Sequence, residues 1–135
     1  MDTLTKEKRS WNMSRIRSKD TVPEMRVRSA LHRAGYRFRL HVKELPGKPD
    51  IVLPKYKTVI FVHGCFWHRH KGCSGATMPS TNQDFWVEKF RKNVKRDKKE
   101  QAALKRLGWK VIVIWECGLK EASFLETLLN EITRL

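Results

Sequence analysis

Apolar positions recur along this chain in two rhythms, one of about 3.6 residues and one of two. After Thr21, the residues Val27, Ala30, Leu31 and Ala34 return at helical spacing. Thr21 stands where a helix needs a cap, Pro23 suits the first turn, and Glu24 falls at the third position, so Thr21 to Glu24 reads as a capping box. Gly35 ends the helix. Tyr36-Arg37-Phe38-Arg39-Leu40 then alternates apolar and basic residues, which predicts a strand with one buried face. Pro46-Gly47 marks a turn before a short strand over Asp50-Ile51-Val52-Leu53, and a second turn at Pro54 to Lys57 leads into the buried strand Thr58 to Val62.

Residues 64–80 break both rhythms. They are rich in Gly, Cys, His and Ser and predict irregular backbone. A long helix follows with Thr81 as its expected cap, and its apolar stripe runs Val87, Phe90, Val94, Gln101 and Leu104 to a stop at Gly108. Lys110 to Trp115 is a strand, apolar on both faces after its first residue, and is expected at the centre of a sheet. A last helix carries Leu125, Leu128, Leu129, Ile132 and Leu135 on one side. Short turns make the first three strands an antiparallel meander, and the long helix permits a parallel crossover to the fourth. The prediction is an α/β fold: a single mixed sheet flanked by helices. Residues 20–135 form its one domain, and residues 1–19 stand apart as a basic arm.

Composition narrows the partner. The chain has 135 residues, with 29 Lys and Arg against 14 Asp and Glu, a formal charge of +15 that points to a polyanion such as DNA. At 40% hydrophobic residues it has the means to fold, unlike a disordered basic tail. No apolar run approaches the roughly 20 residues of a membrane span, and the N-terminal residues lack the apolar core of a secretion signal, so a cytoplasmic protein without membrane contact is expected. Three Cys in such a compartment argue against a disulfide framework and leave metal binding, catalysis or burial.

Four constellations carry chemistry. Cys65, His68, His70 and Cys73 crowd one loop, and Cys117 follows the last strand, giving five candidates for the four places of a structural zinc site. Asp50 opens a buried strand just after Pro49; it reads as a turn aspartate satisfying local N–H groups or as a hard ligand for Mg²⁺ at a sheet edge. Asp97 falls on the inward stripe of the long helix, where a carboxylate needs a partner: a local Lys or Arg, or an imidazole from His63 or His68. Phe66, Trp67, Phe85 and Trp86 put large rings in a polar loop and in the first turn of a basic helix, where they pack internally or wedge between bases. From Lys89 to Arg106 nine basic residues oppose two acidic ones, a solvated helix face or a phosphate track.

Pro46-Gly47-Lys48-Pro49-Asp50, Phe61 to His70 with Cys73, Asn82 to Asp97, Gly108-Trp109 and Ile114 to Cys117 together resemble the very short patch repair (Vsr) endonucleases, from about Ser10 to Cys117. The resemblance implies the type II restriction endonuclease fold. It also implies a bacterial DNA nickase that cuts 5′ of the T in a T:G mismatch left by deaminated 5-methylcytosine. Carried over residue by residue, Asp50 and the main-chain oxygen of Val62 would hold Mg²⁺. His68, oriented by Asp97, would be the general base, His63 would assist at the scissile phosphate, and Glu24 would stand nearby if it is more than a cap. Cys65, His70, Cys73 and Cys117 would hold a structural zinc within the loop at 64–80. Phe66, Trp67 and Trp86 would wedge beside the mismatch, with Met13, Arg15, Lys89, Lys92, Asn93 and Arg96 as further DNA contacts. The strand Phe61-Val62-His63 lacks the acid and Lys common to that fold, so imidazole and carboxylate must replace them. A monomer at the nucleoid is expected, with general mismatch-repair proteins as partners. Two rivals share much of this sequence logic: a restriction- or transposon-type nuclease with another target, and a zinc-stapled DNA-binding module without catalysis.

Overall fold

Thr21 begins the described part of the molecule and does what its position predicts. In the computed structural model, which describes residues 21–74 and 76–134, Thr21 is extended and its Oγ1 accepts the N–H of Glu24 at 3.4 Å. Helix α1 (Val22–Arg33) follows, and Val27 and Leu31 on it are fully buried. The arm at 1–19, with Met13 and Arg15, lies outside the described residues, as does Leu135.

Among the described residues, four strands form one sheet in the order β1 (Arg39–Leu40), β2 (Ile51–Leu53), β3 (Thr58–His63), β4 (Lys110–Trp115). The first three pair antiparallel, and β3 pairs parallel with β4 across the crossover helix α2 (Gln83–Arg106). This is the expected mixed α/β sheet, a meander plus one parallel strand, consistent with the restriction-endonuclease-like fold.

Strand alternation sorts the core into two layers. Ile51, Leu53, Ile60 and Ile112 pack with Val27 and Leu31 of α1 and with Leu128 and Ile132 of the last helix, α3 (Phe124–Thr133). Val52, Val59, Phe61, Val111 and Val113 face the other way, toward Leu104 of α2. Ile60, fully buried on the middle strand, is worth about 2–3 kcal/mol in transfer from water alone. The Lys110 amine donates to the carbonyls of Glu131 at 2.9 Å and Ile132 at 3.2 Å, tying the end of α3 to the sheet.

Four expectations need correction. The strand read over Tyr36 to Leu40 pairs only at Arg39 and Leu40, because the alternation of Tyr36 and Phe38 reflects their packing against the core and not a ladder. Strand β4 lies at the sheet's edge among the described residues, and β3 is internal. Both faces of β4 are apolar because helices cover both, and that says nothing about its flanks. Helix α2 starts after Asn82, which has φ +53° and no side-chain cap bond, so Thr81 is not its cap. Val87 is 52% exposed although it lies on the counted stripe. At about 1.5 Å per residue, α2 spans roughly 36 Å against about 20 Å for a six-residue strand, so it overruns the strands it crosses.

Candidate active site and metal-donor clusters

The β1–β2 ladder ends at Leu40 opposite Ile51. The next two residues, His41 and Asp50, still face each other, and the His41 N–H donates to the Asp50 carbonyl at 3.4 Å. The Asp50 carboxylate reaches across to β3, where its Oδ2 accepts the N–H of Val62 at 2.7 Å. From α1 comes Glu24, 2% exposed, with its Oε2 3.1 Å from the Arg28 guanidinium and 3.6 Å from His41 Nε2. Thr21 makes its half of the capping box, while the Glu24 carboxylate turns into this cluster. Glu24, His41 and Asp50 each offer a donor atom within 4.8 Å of the others. Burial lifts the Asp50 carboxyl from 3.8 to about 6; the Val62 N–H pulls it back, and the Glu24 charge adds to the rise. A buried carboxylate, Glu24, beside a half-buried one, Asp50, offers hard oxygen donors that suit a divalent cation.

The loop that carries Asp50 is seated on α2. Gly47 has φ +74°, and a Cβ there would meet Glu100 Oε2 at 2.8 Å. Only glycine serves that turn and that approach together.

One helical turn before Glu100, Asp97 finds the imidazole that its inward position demands. His68 Nδ1 lies 2.6 Å from Asp97 Oδ2. His63, at the end of β3, stacks on the His68 ring with centroids 3.7 Å apart and planes 4° from parallel. Burial first, then the neighbouring His68, lowers His63 to about 4, so it is neutral at neutral pH. Its Nδ1 is buried with no hydrogen-bond partner among the described residues. Of the two imidazoles offered by the sequence, His68 takes the carboxylate and His63 takes the ring face.

The second cluster is soft. Cys65, His70, Cys73 and Cys117 bring their donor atoms within 4.8 Å of one another. His70 Nδ1 is 3.7 Å from Cys65 Sγ and 3.3 Å from Cys117 Sγ, close to the roughly 3.5–3.8 Å edges of a tetrahedron built on zinc bond lengths. Burial pushes the Cys65 thiol up to about 11, with the Cys117 and Cys73 side chains adding to it. Crowded thiols, with Cys65 buried and Cys73 and Cys117 half-buried, are the donor set that a zinc ion converts to thiolates. The five candidates thus resolve into four here and His68 elsewhere.

Trp115 stands between the clusters. His70 stacks on it at 4.3 Å and 8°, and its ring meets His63 at 5.1 Å and His68 at 6.5 Å, edge to face. Arg69, at φ +55°, ties the same loop together: it donates to the carbonyls of Phe66, Ala76 and Thr77 and lies 4.0 Å over the Phe90 ring.

Phe66, Trp67 and Trp86 form one aromatic cluster, with Phe66 5.0 Å from Trp67 and Trp67 6.0 Å from Trp86. Phe66 also packs on Phe90, and Phe85 on Trp86 is 61% exposed. Lys89, Lys92 and Arg96 are exposed along α2, whereas Asn93 is half-buried and donates to the Trp67 carbonyl at 3.2 Å. The sequence reading gives no role to His41, Arg69 or Trp115. His41 escapes it by lying one residue beyond the alternating run, and Trp115 by ending a strand that is apolar throughout after Lys110.

With this geometry in view, similarity to known proteins is informative. A family model described as DNA mismatch endonuclease Vsr matches residues 1–74. The chain is 50% identical over 131 residues to the Type II nicking enzyme V.XorIIP of Xanthomonas oryzae pv. oryzae, covering 97% of this chain and 96% of the relative. It is 49% identical over 133 residues to the Type II nicking enzyme V.NmeAIP of Neisseria meningitidis, covering 98% and 94%. It is 45% identical over 119 residues to the DNA mismatch endonuclease Vsr of Escherichia coli K12, covering 88% and 76%. No helix among the described residues is long and apolar enough to cross a membrane.

Proposed function

This chain belongs to the Vsr family of DNA mismatch endonucleases, and on that premise we propose that it nicks one DNA strand 5′ of the T in a T:G mismatch by Mg²⁺-dependent hydrolysis. The observation that carries the chemistry is the His68–Asp97 pair at 2.6 Å, stacked on His63, with Asp50 on the adjacent strand end.

An ionised carboxylate only accepts hydrogen bonds, so Asp97 holds the proton of His68 on Nδ1 and leaves the lone pair on Nε2. That nitrogen takes a proton from the water that attacks the scissile phosphorus in line. His68 then becomes an imidazolium, with Asp97 on one side and the neutral His63 ring face 3.7 Å away on the other, and both stabilise the new charge. The P–O3′ bond breaks, leaving a 5′-phosphate and a 3′-hydroxyl. Asp50 and the main-chain carbonyl of Val62 would hold Mg²⁺, with Glu24 alongside; when bound, the ion neutralises the phosphate and stabilises the leaving oxygen.

The remaining groups supply recognition. Phe66, Trp67 and Trp86 insert beside the mismatched pair, and Asn93 fixes the Trp67 backbone from α2. Lys89, Lys92 and Arg96, with Met13 and Arg15 of the arm, follow the DNA backbone and groove. Cys65, His70, Cys73 and Cys117 hold a structural zinc that shapes the loop bearing Phe66, Trp67 and His68. One chain serves one asymmetric T:G site, at the bacterial nucleoid, alongside general mismatch-repair proteins.

Strand-labelled duplexes containing T:G or matched C:G, incubated with and without Mg²⁺, test this reading. A single Mg²⁺-dependent nick 5′ of the T, with the matched duplex intact, is expected. Equal cutting of both duplexes makes the chain a restriction-like nuclease, and shifted but uncut DNA makes it a binding module.

A further inference from the structure

We propose that His41 is a third protein donor of the cation site at Glu24 and Asp50, making it a two-carboxylate, one-imidazole centre that binds Mn²⁺ more tightly than Mg²⁺. The proposal rests on the reading that a divalent cation sits at Asp50, and it adds a nitrogen ligand to it.

Backbone geometry is the first support. His41 has φ +49°, the left-handed region, which non-glycine residues other than Asn and Asp seldom adopt. It adopts this turn directly opposite Asp50, as its N–H bond to the Asp50 carbonyl shows. The side chain thereby joins the carboxylates, its donor atom within 4.8 Å of those of Glu24 and Asp50.

The second support is the state of the ring. Nε2 lies 3.0 Å from the Arg28 guanidinium and 3.6 Å from Glu24 Oε2. A guanidinium only donates, so in that contact Nε2 is the acceptor. The Nε2 lone pair therefore faces the place where positive charge gathers at this cluster. A metal ion and the guanidinium compete for that lone pair, while Arg28 also has its bond to Glu24 at 3.1 Å.

The donor set decides selectivity. Mg²⁺ prefers oxygen ligands in a strict octahedron, whereas imidazole nitrogen favours first-row transition ions. A centre with one imidazole beside two carboxylates therefore favours Mn²⁺ at equal concentration.

The test is Mn²⁺ binding to the zinc-loaded full chain without DNA, read from the electron paramagnetic resonance signal of free Mn²⁺, with Mg²⁺ as competitor. Asn tolerates left-handed backbone, so His41→Asn removes the imidazole while keeping the turn, and unchanged zinc content and melting confirm the fold. Wild type is expected to prefer Mn²⁺ over Mg²⁺ at least about ten-fold. His41→Asn should lower Mn²⁺ affinity roughly ten-fold or more and Mg²⁺ affinity less than about three-fold. Asp50→Asn should abolish both. Unchanged Mn²⁺ affinity in His41→Asn, with binding lost in Asp50→Asn, overturns the role of His41 and leaves the Asp50 site standing. Unchanged binding in both variants overturns the two readings together.

Discussion

The two donor clusters of this molecule are built from opposite materials. Cys65, His70, Cys73 and Cys117 come from an irregular loop and the segment after β4, and they offer sulfur and nitrogen. Glu24, His41 and Asp50 come from α1 and the ends of two paired strands, and they offer mainly oxygen. Four soft donors complete a tetrahedron and leave no place for substrate, which is the signature of a structural site. Two carboxylates and one imidazole leave places open on a hard cation for water and a phosphate oxygen. Regular structure needs no staple, so on the proposed reading zinc at the first cluster would hold the loop at 64–80, while the second cluster stands where strands already hold their side chains in place. Trp115 links the first cluster to the neighbouring His63–His68–Asp97 group, stacked on His70 and edge-on to His63 and His68.

That division predicts a graded set of effects. Asp50→Ala should reduce nicking by about 10³-fold or more, while zinc content and affinity for T:G duplex stay near wild type; an equal loss of affinity would make Asp50 a DNA contact. His68→Ala should slow the single-turnover rate by roughly 10²–10⁴-fold, and Asp97→Asn should slow it less, since the imidazole remains but loses its fixed tautomer. Cys73→Ala should do the reverse of Asp50→Ala: zinc is lost and the melting temperature falls on the order of 10 °C. A Cys73→Ala chain that keeps its zinc and its melting point would break the comparison.

A smaller effect concerns stability and pH. Burial raises Asp50 from 3.8 to about 6, so between those values the folded chain holds a proton that the unfolded chain has released. Stability from this group is full below about pH 4, declines as pH rises through the window, and is lost above about pH 6. Asp50→Asn keeps the acceptor for the Val62 N–H and removes the buried charge. In Mg²⁺-free buffer it should raise stability by on the order of 1–3 kcal/mol at pH 7 and by nothing below pH 4, as read from denaturant melts. A variant less stable than wild type at pH 7 would contradict the assignment of that shift to burial. The smallest effect belongs to Trp115→Leu, which should lower turnover roughly ten-fold by loosening the His63–His68 stack, with KM for DNA and zinc content unchanged.

Much of this was legible along the chain because it depends on periodicity. The capping role of Thr21, the strand pairings of β2 and β3, the crossover and the inward position of Asp97 all follow from spacing. Val87 misled because the stripe of α2 continues past the sheet that would bury it. Strand β4 misled because an apolar run on two faces reports helices above and below, which an edge strand has as readily as a central one. His41 was invisible for a different reason: its side chain joins Asp50 through a single left-handed residue, and no spacing rule announces that turn. The choice of His68 over His63 as the partner of Asp97 needed coordinates too, since both histidines lie within one short loop and strand end.

The central claim is that one cluster holds a permanent ion and the other a working one. The direct measurement is metal content and nicking on the same sample, dialysed against Mg²⁺-free buffer and then supplied with Mg²⁺. One tightly held zinc per chain, no nicking before Mg²⁺ is added and full nicking after is the predicted result. Nicking that proceeds with zinc alone, or zinc that leaves without disturbing the fold, would contradict it.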